Sequence, residues 1–207
     1  MRITVLGAAG ATGRLVVEQA LGAGHQVNAL VRRADQLEIS SDHLDVAVGD
    51  ATVADDLESC FRAADVVISA LGVGIVRHTR LMTHASAAIV EAAARTGVRR
   101  VVVLSAFGVG DSAGRAGLLH RVVIKTLMKG TFSDKAEGEA ILRASDLQWT
   151  LAYPVTMSHG PFTGAIKSGS SLHVSIASRV SRADVAAFLI AEAVSPSWTG
   201  QTVTLAD

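Results

Sequence analysis

The first apolar run of the chain, Ile3-Thr4-Val5-Leu6, passes directly into Gly7-Ala8-Ala9-Gly10-Ala11-Thr12-Gly13, and a helical pattern begins near Arg14. A strand, a Gly-x-x-Gly-x-x-Gly turn and a helix in that order are what a dinucleotide-binding fingerprint needs. The first glycine permits the tight turn, the middle one lets main chain approach a diphosphate, and the last lets helix and strand pack closely. Free N–H groups at the helix start then face the phosphates. A strand-to-helix turn that binds nothing would carry the same glycines, so the other strand ends must agree before a nucleotide is inferred.

They do so within a chain whose size and composition fit one α/β domain: 207 residues, 49% hydrophobic, with few aromatics and three prolines. The lone Cys60 has no internal disulfide partner, and the N-terminus lacks the basic region, long apolar segment and cleavage site of a signal peptide, so a reducing, cytoplasmic location is expected. Lys plus Arg balances Asp plus Glu at 19 each, which gives no global charge to attract nucleic acid or an anionic membrane. No apolar run reaches the roughly 18 residues of a membrane span. The seven histidines, at 25, 43, 78, 84, 120, 159 and 173, show no ligand-like spacing, and no metal site is expected.

Short apolar runs alternate with helical patterns, without a linker or repeat to divide them. Strands are expected at Ile3–Leu6, Gln26–Val31, Leu44–Val48, Val66–Ala70, Val101–Ser105, Trp149–Ala152 and Thr202–Leu205. Helices are expected at Arg14–Ala23, Asp55–Ala63, Arg80–Thr96, Leu118–Lys129, Asp134–Ala144 and Arg182–Ala193. Gly97 closes the third helix, Asp134-x-x-Glu137 resembles a capping box, and Ser181-x-x-Asp184 is a looser one. The alternation predicts a single Rossmann-like domain over 1–207, a doubly wound parallel sheet with helices on both faces. The ligand then lies at the carboxyl ends of the strands, where their order reverses.

Strand-end residues are therefore the informative ones. Arg32 and Arg33 follow the second strand, where an NAD-specific protein places an acid for the ribose hydroxyl; a guanidinium there suits the 2'-phosphate of NADP. Two solvated arginines would read the same, and Asp35 leaves an NAD reading open, although it lies beyond the expected strand end. The third strand ends in Gly49-Asp50-Ala51, where a carboxylate can accept from an adenine amino group or simply begin a turn. The fourth ends in Ser69-Ala70-Leu71-Gly72-Val73-Gly74, small residues that let backbone lie against ribose and nicotinamide and equally suit an ordinary loop.

Taken with Leu30-Val31-Arg32, Val102-Val103-Leu104-Ser105-Ala106-Phe107, Leu142-Arg143-x-Ser145-x-Leu147 and Phe162-Thr163-Gly164-Ala165, these motifs resemble an atypical short-chain dehydrogenase/reductase. The resemblance covers essentially the whole chain and is to the small NAD(P)H-binding branch that includes biliverdin IXβ reductase/flavin reductase and NmrA-like proteins. It implies NADP(H), held here by Gly10, Ala11, Thr12, Gly13, Arg32, Asp50, Leu71 and Gly72, with Gly7, Arg33, Ala51 and Ala70 in the same strand-end segments. Nicotinamide contacts are implied from Ser105 and Pro154-Val155, with Thr156 next to them in the cofactor-binding set. Where the biliverdin/flavin reductases have a histidine shortly after the proline, this chain has Thr156, a departure that bears on the substrate rather than the cofactor.

The Tyr-x-x-x-Lys pair by which many members of that superfamily protonate a carbonyl oxygen is absent: Tyr153 precedes Met157 by four, and Thr131 precedes Lys135 by four. Loss of a general acid costs about 10²- to 10⁴-fold. A conjugated acceptor such as a flavin, quinone or linear tetrapyrrole takes hydride at one atom and can draw its proton from water, needing mainly orientation. The expectation is an NADPH-dependent reductase acting on such a small molecule, as a monomer or weak homodimer; a non-catalytic NADP(H) sensor is the alternative.

Ser105 and Lys135 are the candidate catalytic residues. The Ser105 hydroxyl could orient nicotinamide or substrate, or only bond its own loop. Lys135 could meet a substrate anion, although a solvated surface lysine is the plainer reading; Tyr153 could stack on a ring or be a core aromatic. Arg121, Lys125 and Lys129 form a basic stripe on the 118–129 helix, open to an anionic substrate, a partner helix or a membrane surface, or merely solvated. Arg99 and Arg100 read as surface residues, and Gly108, Gly110, Gly114 and Gly117 as a flexible lid. The substrate region is expected mainly at 106–135 and 153–180.

Overall fold

The computed structural model describes residues 1–72, 80–110, 112, 129–175 and 177–207. Ten strands are found among them: β1 (Arg2–Leu6), β2 (Gln26–Val31), β3 (Leu44–Val48), β4 (Val66–Ser69), β5 (Arg100–Leu104), β6 (Gln148–Pro154), β7 (Thr156–Ser158), β8 (Lys167–Gly169), β9 (Arg179–Ser181) and β10 (Gln201–Ala206). The helices are α1 (Ala11–Gly22), α2 (Ala54–Phe61), α3 (Leu81–Thr96), α4 (Lys129–Arg143) and α5 (Arg182–Val194), with one 3-10 turn at Ala34–Gln36.

Eight strands form one sheet in the order β3-β2-β1-β4-β5-β6-β10-β8, parallel throughout except for the antiparallel edge strand β8. This is the expected doubly wound sheet. Every residue of β4 and β5 is buried, as is all of β1 after Arg2, because helices cover both faces of a parallel sheet. α1 packs with α5, and α3 packs with both α2 and α4. The chain reverses winding between β1 and β4, opening a crevice at their carboxyl ends.

All seven expected strands form, with shifts of one or two residues at several ends. β7, β8 and β9 were not expected: each has three residues, too few for a period-2 pattern to show. β7 pairs in parallel with β9, which brings the segment after Pro154 against the start of α5. The expected helix 118–129 lies outside the described residues, apart from Lys129, which belongs to α4.

Helix ends separate local from long-range signals. Gly97 closes α3 in the left-handed region at φ 80°, and Ser181 caps α5, its hydroxyl accepting from Asp184 N at 2.9 Å. The Asp134-x-x-Glu137 box is a correction: Asp134 lies inside α4, and its carboxylate caps α3 instead. Oδ2 accepts from Met82 N, and Oδ1 from Thr83 N, both at 2.9 Å, while the Thr83 hydroxyl donates to Oδ1 at 2.7 Å. The carboxylate thus serves free N–H groups of a neighbouring helix, at the favourable end of its dipole.

Arg100 is a second correction: it is 6% exposed, whereas Arg99 stays at the surface. Its guanidinium pairs with Glu192 Oε1 at 2.7 Å and donates to Thr150 Oγ1 at 2.8 Å and to Gln148 O at 2.6 Å. Glu192 accepts further bonds from the backbone of Ser197 and Trp198. This network fastens α5 to the amino-terminal ends of β5 and β6. Glu192→Ala is expected to cost about 3–5 kcal/mol of unfolding free energy, since it strands a buried guanidinium. Glu137→Ala, which breaks the exposed pair with Arg80, should cost less than about 1 kcal/mol. Urea denaturation followed by circular dichroism measures both, and equal midpoints for the two variants would contradict the assignment.

Candidate active site

The glycine turn is built by close main-chain approach. Gly7 adopts φ +75°, and a Cβ there would lie 2.9 Å from the Ala70 carbonyl oxygen and 3.0 Å from Leu71 N. A Cβ on Gly13 would lie 2.1 Å from the Gly7 carbonyl oxygen. These two positions admit no side chain, and together they press the start of α1 and the exit of β4 against the end of β1. Gly10 has more room, its hypothetical Cβ meeting the Gly7 oxygen at 3.1 Å. Gly10 N donates to Gly7 O, and Arg14 N to Gly10 O, each at 2.9 Å, so Gly10 is the residue from which the helix starts. No side chain caps α1 and no acid occupies its first turn, which leaves the dipole end of Ala11, Thr12 and Gly13 open to an anion.

The remaining strand-end residues come to the same edge of the sheet. Arg32, just beyond β2, is exposed and has no ion pair among the described residues, while Arg33 holds Asp35 through its Nε and Nη2. That pair engages Asp35, the carboxylate that left an NAD reading open in the sequence. Asp50 makes the turn weighed from sequence: its Oδ1 accepts from Thr52 N and Thr52 Oγ1, both at 2.8 Å. Those bonds, aided by Arg32, hold its carboxyl below the usual carboxylate range. Ala51 is buried beside it, whereas Ala70 and Leu71 are half-buried and Gly72 is exposed at the exit of β4. Val73 and Gly74 lie outside the described residues.

At the ends of β5 and β6 the main chain is stitched together. Ser105 N donates to Ala152 O at 2.8 Å, Phe107 N to Pro154 O at 3.0 Å, and Val155 N to Leu205 O at 3.0 Å. Pro154 and Val155 are buried, and Thr156 is exposed at the start of β7. The Ser105 hydroxyl is itself buried and donates to Glu139 Oε1 at 2.5 Å, while the Tyr153 hydroxyl donates to Glu139 Oε2, also at 2.5 Å. Glu139 was not singled out from sequence, because an acid on a helical pattern normally reads as solvated. Burial pushes its carboxyl above the usual range, opposed by the two hydroxyl donors and by the charges of Arg143 and Lys135.

Lys135 corrects the solvated-lysine reading: it is buried one turn before Glu139, and burial brings its pKa down to about 8 against the pull of Glu139 and Asp134. Tyr153 is fully buried, so it is a core aromatic with a polar tip rather than an exposed stacking surface. Burial, then the Glu139 charge and the bond to it, push the phenol far above its ordinary value. Gly110, at φ +49°, lets the loop after β5 close over this group; a Cβ there would meet Glu139 Oε2 at 3.1 Å and the Tyr153 hydroxyl at 3.2 Å. Of the other proposed lid glycines, Gly108 is described, whereas Gly114 and Gly117 lie outside the described residues. So does the basic stripe of Arg121, Lys125 and the Lys129 side chain.

Among the described residues no helix is long and apolar enough to cross a membrane. The chain is 27% identical to the protein YMR090W of Saccharomyces cerevisiae, called UPF0659, over 96% of this chain and 89% of the yeast protein. Its fold matches the crystal structure of the oxidoreductase ylbE from Lactococcus lactis with a TM-score of 0.85 at 17% identity, over 99% of this chain and 90% of that one. It also matches ChuY, described as an anaerobillin reductase, from Escherichia coli O157:H7, with a TM-score of 0.82 at 24% identity, over 99% and 96% of the two chains. The family model for NAD(P)H-binding proteins matches residues 7–196, from the first glycine of the turn to just past the last helix. In agreement with the resemblance read from its motifs, this chain belongs to the NAD(P)H-binding family.

Proposed function

We propose that this protein is an NADPH-dependent reductase that passes hydride to a conjugated small molecule of the flavin, quinone or tetrapyrrole type. The observation that carries the acceptor class is the state of Tyr153. The single phenol of the chain is buried, committed to a carboxylate and shifted upward in pKa, so it is a poor acid for a carbonyl oxygen. A conjugated acceptor makes no such demand, because charge arriving with the hydride spreads over its π-system.

Bound NADPH would supply the hydride; the protein's part is to hold and orient. The turn from Gly7 to Gly13 and the uncapped start of α1 suit a diphosphate, since Gly7 and Gly13 clear the space and the dipole end favours negative charge. Arg32 is the cation for a 2'-phosphate, with Asp35 already taken by Arg33. Asp50 and Ala51 border the adenine end. Ala70, Leu71 and Gly72 offer main chain to the ribose, and Ser105, Pro154, Val155 and Thr156 lie at the nicotinamide end. Lys135 and the Ser105 hydroxyl are the polar groups assigned to catalysis. The reading as a non-catalytic NADP(H) sensor rests on one observation: the Ser105 hydroxyl is spent on Glu139.

NADPH should bind more tightly than NADH, and Arg32→Ala should remove most of that preference, about a tenfold or greater loss for NADPH alone. Calorimetry giving equal affinities for the two nucleotides in the unmutated protein would refute the NADP assignment. Gly10→Val should abolish nucleotide binding and leave the circular dichroism spectrum intact, because the branched side chain enters the phosphate space while its nearest protein neighbour is a single carbonyl oxygen. A folded variant with unchanged NADPH affinity would show that the turn does not hold the phosphates.

Purified protein should oxidise NADPH with at least one flavin, quinone or tetrapyrrole and act poorly on simple aldehydes and ketones. Ser105→Ala should lower turnover more than it weakens NADPH binding, since a positioning hydroxyl acts on the geometry of transfer. If no acceptor raises NADPH oxidation above background while NADPH still raises the melting temperature, the sensor reading replaces the reductase.

A further inference from the structure

Arg182 opens α5, 170 residues from Thr12, yet its Nη1 lies 3.4 Å from Thr12 Oγ1 in the first turn of α1 and 3.4 Å from Met157 Sδ in β7. The contact to Thr12 is long, and both partners are neutral. The Nε of Arg182 is buried without a hydrogen-bond partner. Among the described residues no carboxylate forms an ion pair with this guanidinium. Arg100 is an instructive contrast: its Nε is also unpartnered, but Glu192 stands 2.7 Å from its Nη2.

The surroundings of Arg182 offer its charge no protein partner among the described residues. A cation in the first turn of a helix is on the wrong side of the dipole. The acid of that turn, Asp184, is turned away and fully engaged, by Thr163 N at 3.0 Å, Gly164 N at 2.8 Å, Thr163 Oγ1 at 3.0 Å and Ser181 Oγ at 2.6 Å. These donors outweigh burial and hold Asp184 below the usual carboxylate range. α1 has neither a side-chain cap nor an acid in its first turn. The start of α1 and the Arg182 guanidinium therefore meet at Thr12, and among the described residues no carboxylate pairs with either. A partly desolvated cation is stable only with a counter-charge, and the guanidinium fork suits phosphate oxygens.

We propose that Arg182 is a further phosphate-binding residue, closing on the bridging diphosphate of the nucleotide beside the glycine turn. β7 and β9 give this role a structural basis, since their pairing delivers the first residue of α5 to the edge where α1 begins. The inference rests on the nucleotide reading above and adds an element outside the glycine fingerprint. The role differs from that of Arg32: the diphosphate is common to NADPH, NADH and ADP-ribose, whereas the 2'-phosphate belongs to NADPH alone.

The test is calorimetry on the full chain with NADPH, NADH and ADP-ribose as titrants, comparing the unmutated protein with Arg182→Gln, Arg182→Lys and Arg32→Ala. Arg182→Gln should weaken all three by a similar factor, roughly ten- to hundred-fold, and leave the NADPH to NADH ratio unchanged. Arg182→Lys, which keeps the charge without the fork, should fall between, and it carries the comparison if the Gln variant does not fold. Inorganic pyrophosphate should raise the melting temperature of the unmutated chain more than that of Arg182→Gln. Unchanged affinities in folded Arg182 variants, or a loss confined to NADPH, would overturn the assignment while leaving the nucleotide reading in place. Absence of nucleotide binding by the unmutated chain would instead overturn the nucleotide reading and this inference with it.

Discussion

At the start of α1, two stretches of main chain meet with no side chain between them. A Cβ on Gly13 would sit 2.1 Å from the Gly7 carbonyl oxygen, and one on Gly7 would sit 2.9 Å from the Ala70 carbonyl oxygen. Both distances are far inside van der Waals contact, so the carboxyl end of β1, the first turn of α1 and the exit of β4 form one unit that tolerates no added atom. The crevice of the doubly wound sheet opens at this unit, because β1 and β4 are the strands between which the winding reverses. The position of the uncapped helix end, and of Thr12 beneath Arg182, follows from it.

One strand then carries a buried network at each end. β5 begins with Arg100, whose charge is neutralised by Glu192 and whose nitrogens are shared among Thr150 and main-chain carbonyls. Immediately after its other end comes Ser105, tied through Glu139 to Tyr153. The first network lies at the amino-terminal edge, away from the crevice, and fastens helix to sheet. The second lies at the carboxyl edge and fixes the loop that follows β5, with Gly110 leaving space above the carboxylate. Each contains a buried glutamate, and each glutamate is held by hydroxyl or N–H donors that offset its desolvation.

Signals that act over one helical turn were legible in the residues. Ser181 and Asp184 are three apart and bond one another, and Gly97 follows its helix in the left-handed conformation. Asp134 misled because its pattern is equally local while its partners, Met82 and Thr83, are about fifty residues away on α3. Arg100 misled for a similar reason: a charged residue next to Arg99 reads as surface until Glu192, 92 residues on, is seen to neutralise it. Lys135 and Glu139 share a face of α4, and that face proved to be the buried one.

The order of strands and helices, the glycine turn and the cationic exit of β2 were determined by the sequence alone, because each rests on steric or periodic rules that span a few residues. Tertiary structure decided which charges are satisfied. It carried the Asp134 carboxylate to the start of α3, buried Lys135 and Glu139 together, and set Arg182 beside Thr12 without a carboxylate. Such outcomes are not written in any segment, since the energy of a charge depends on its solvation and on partners that only folding brings within reach.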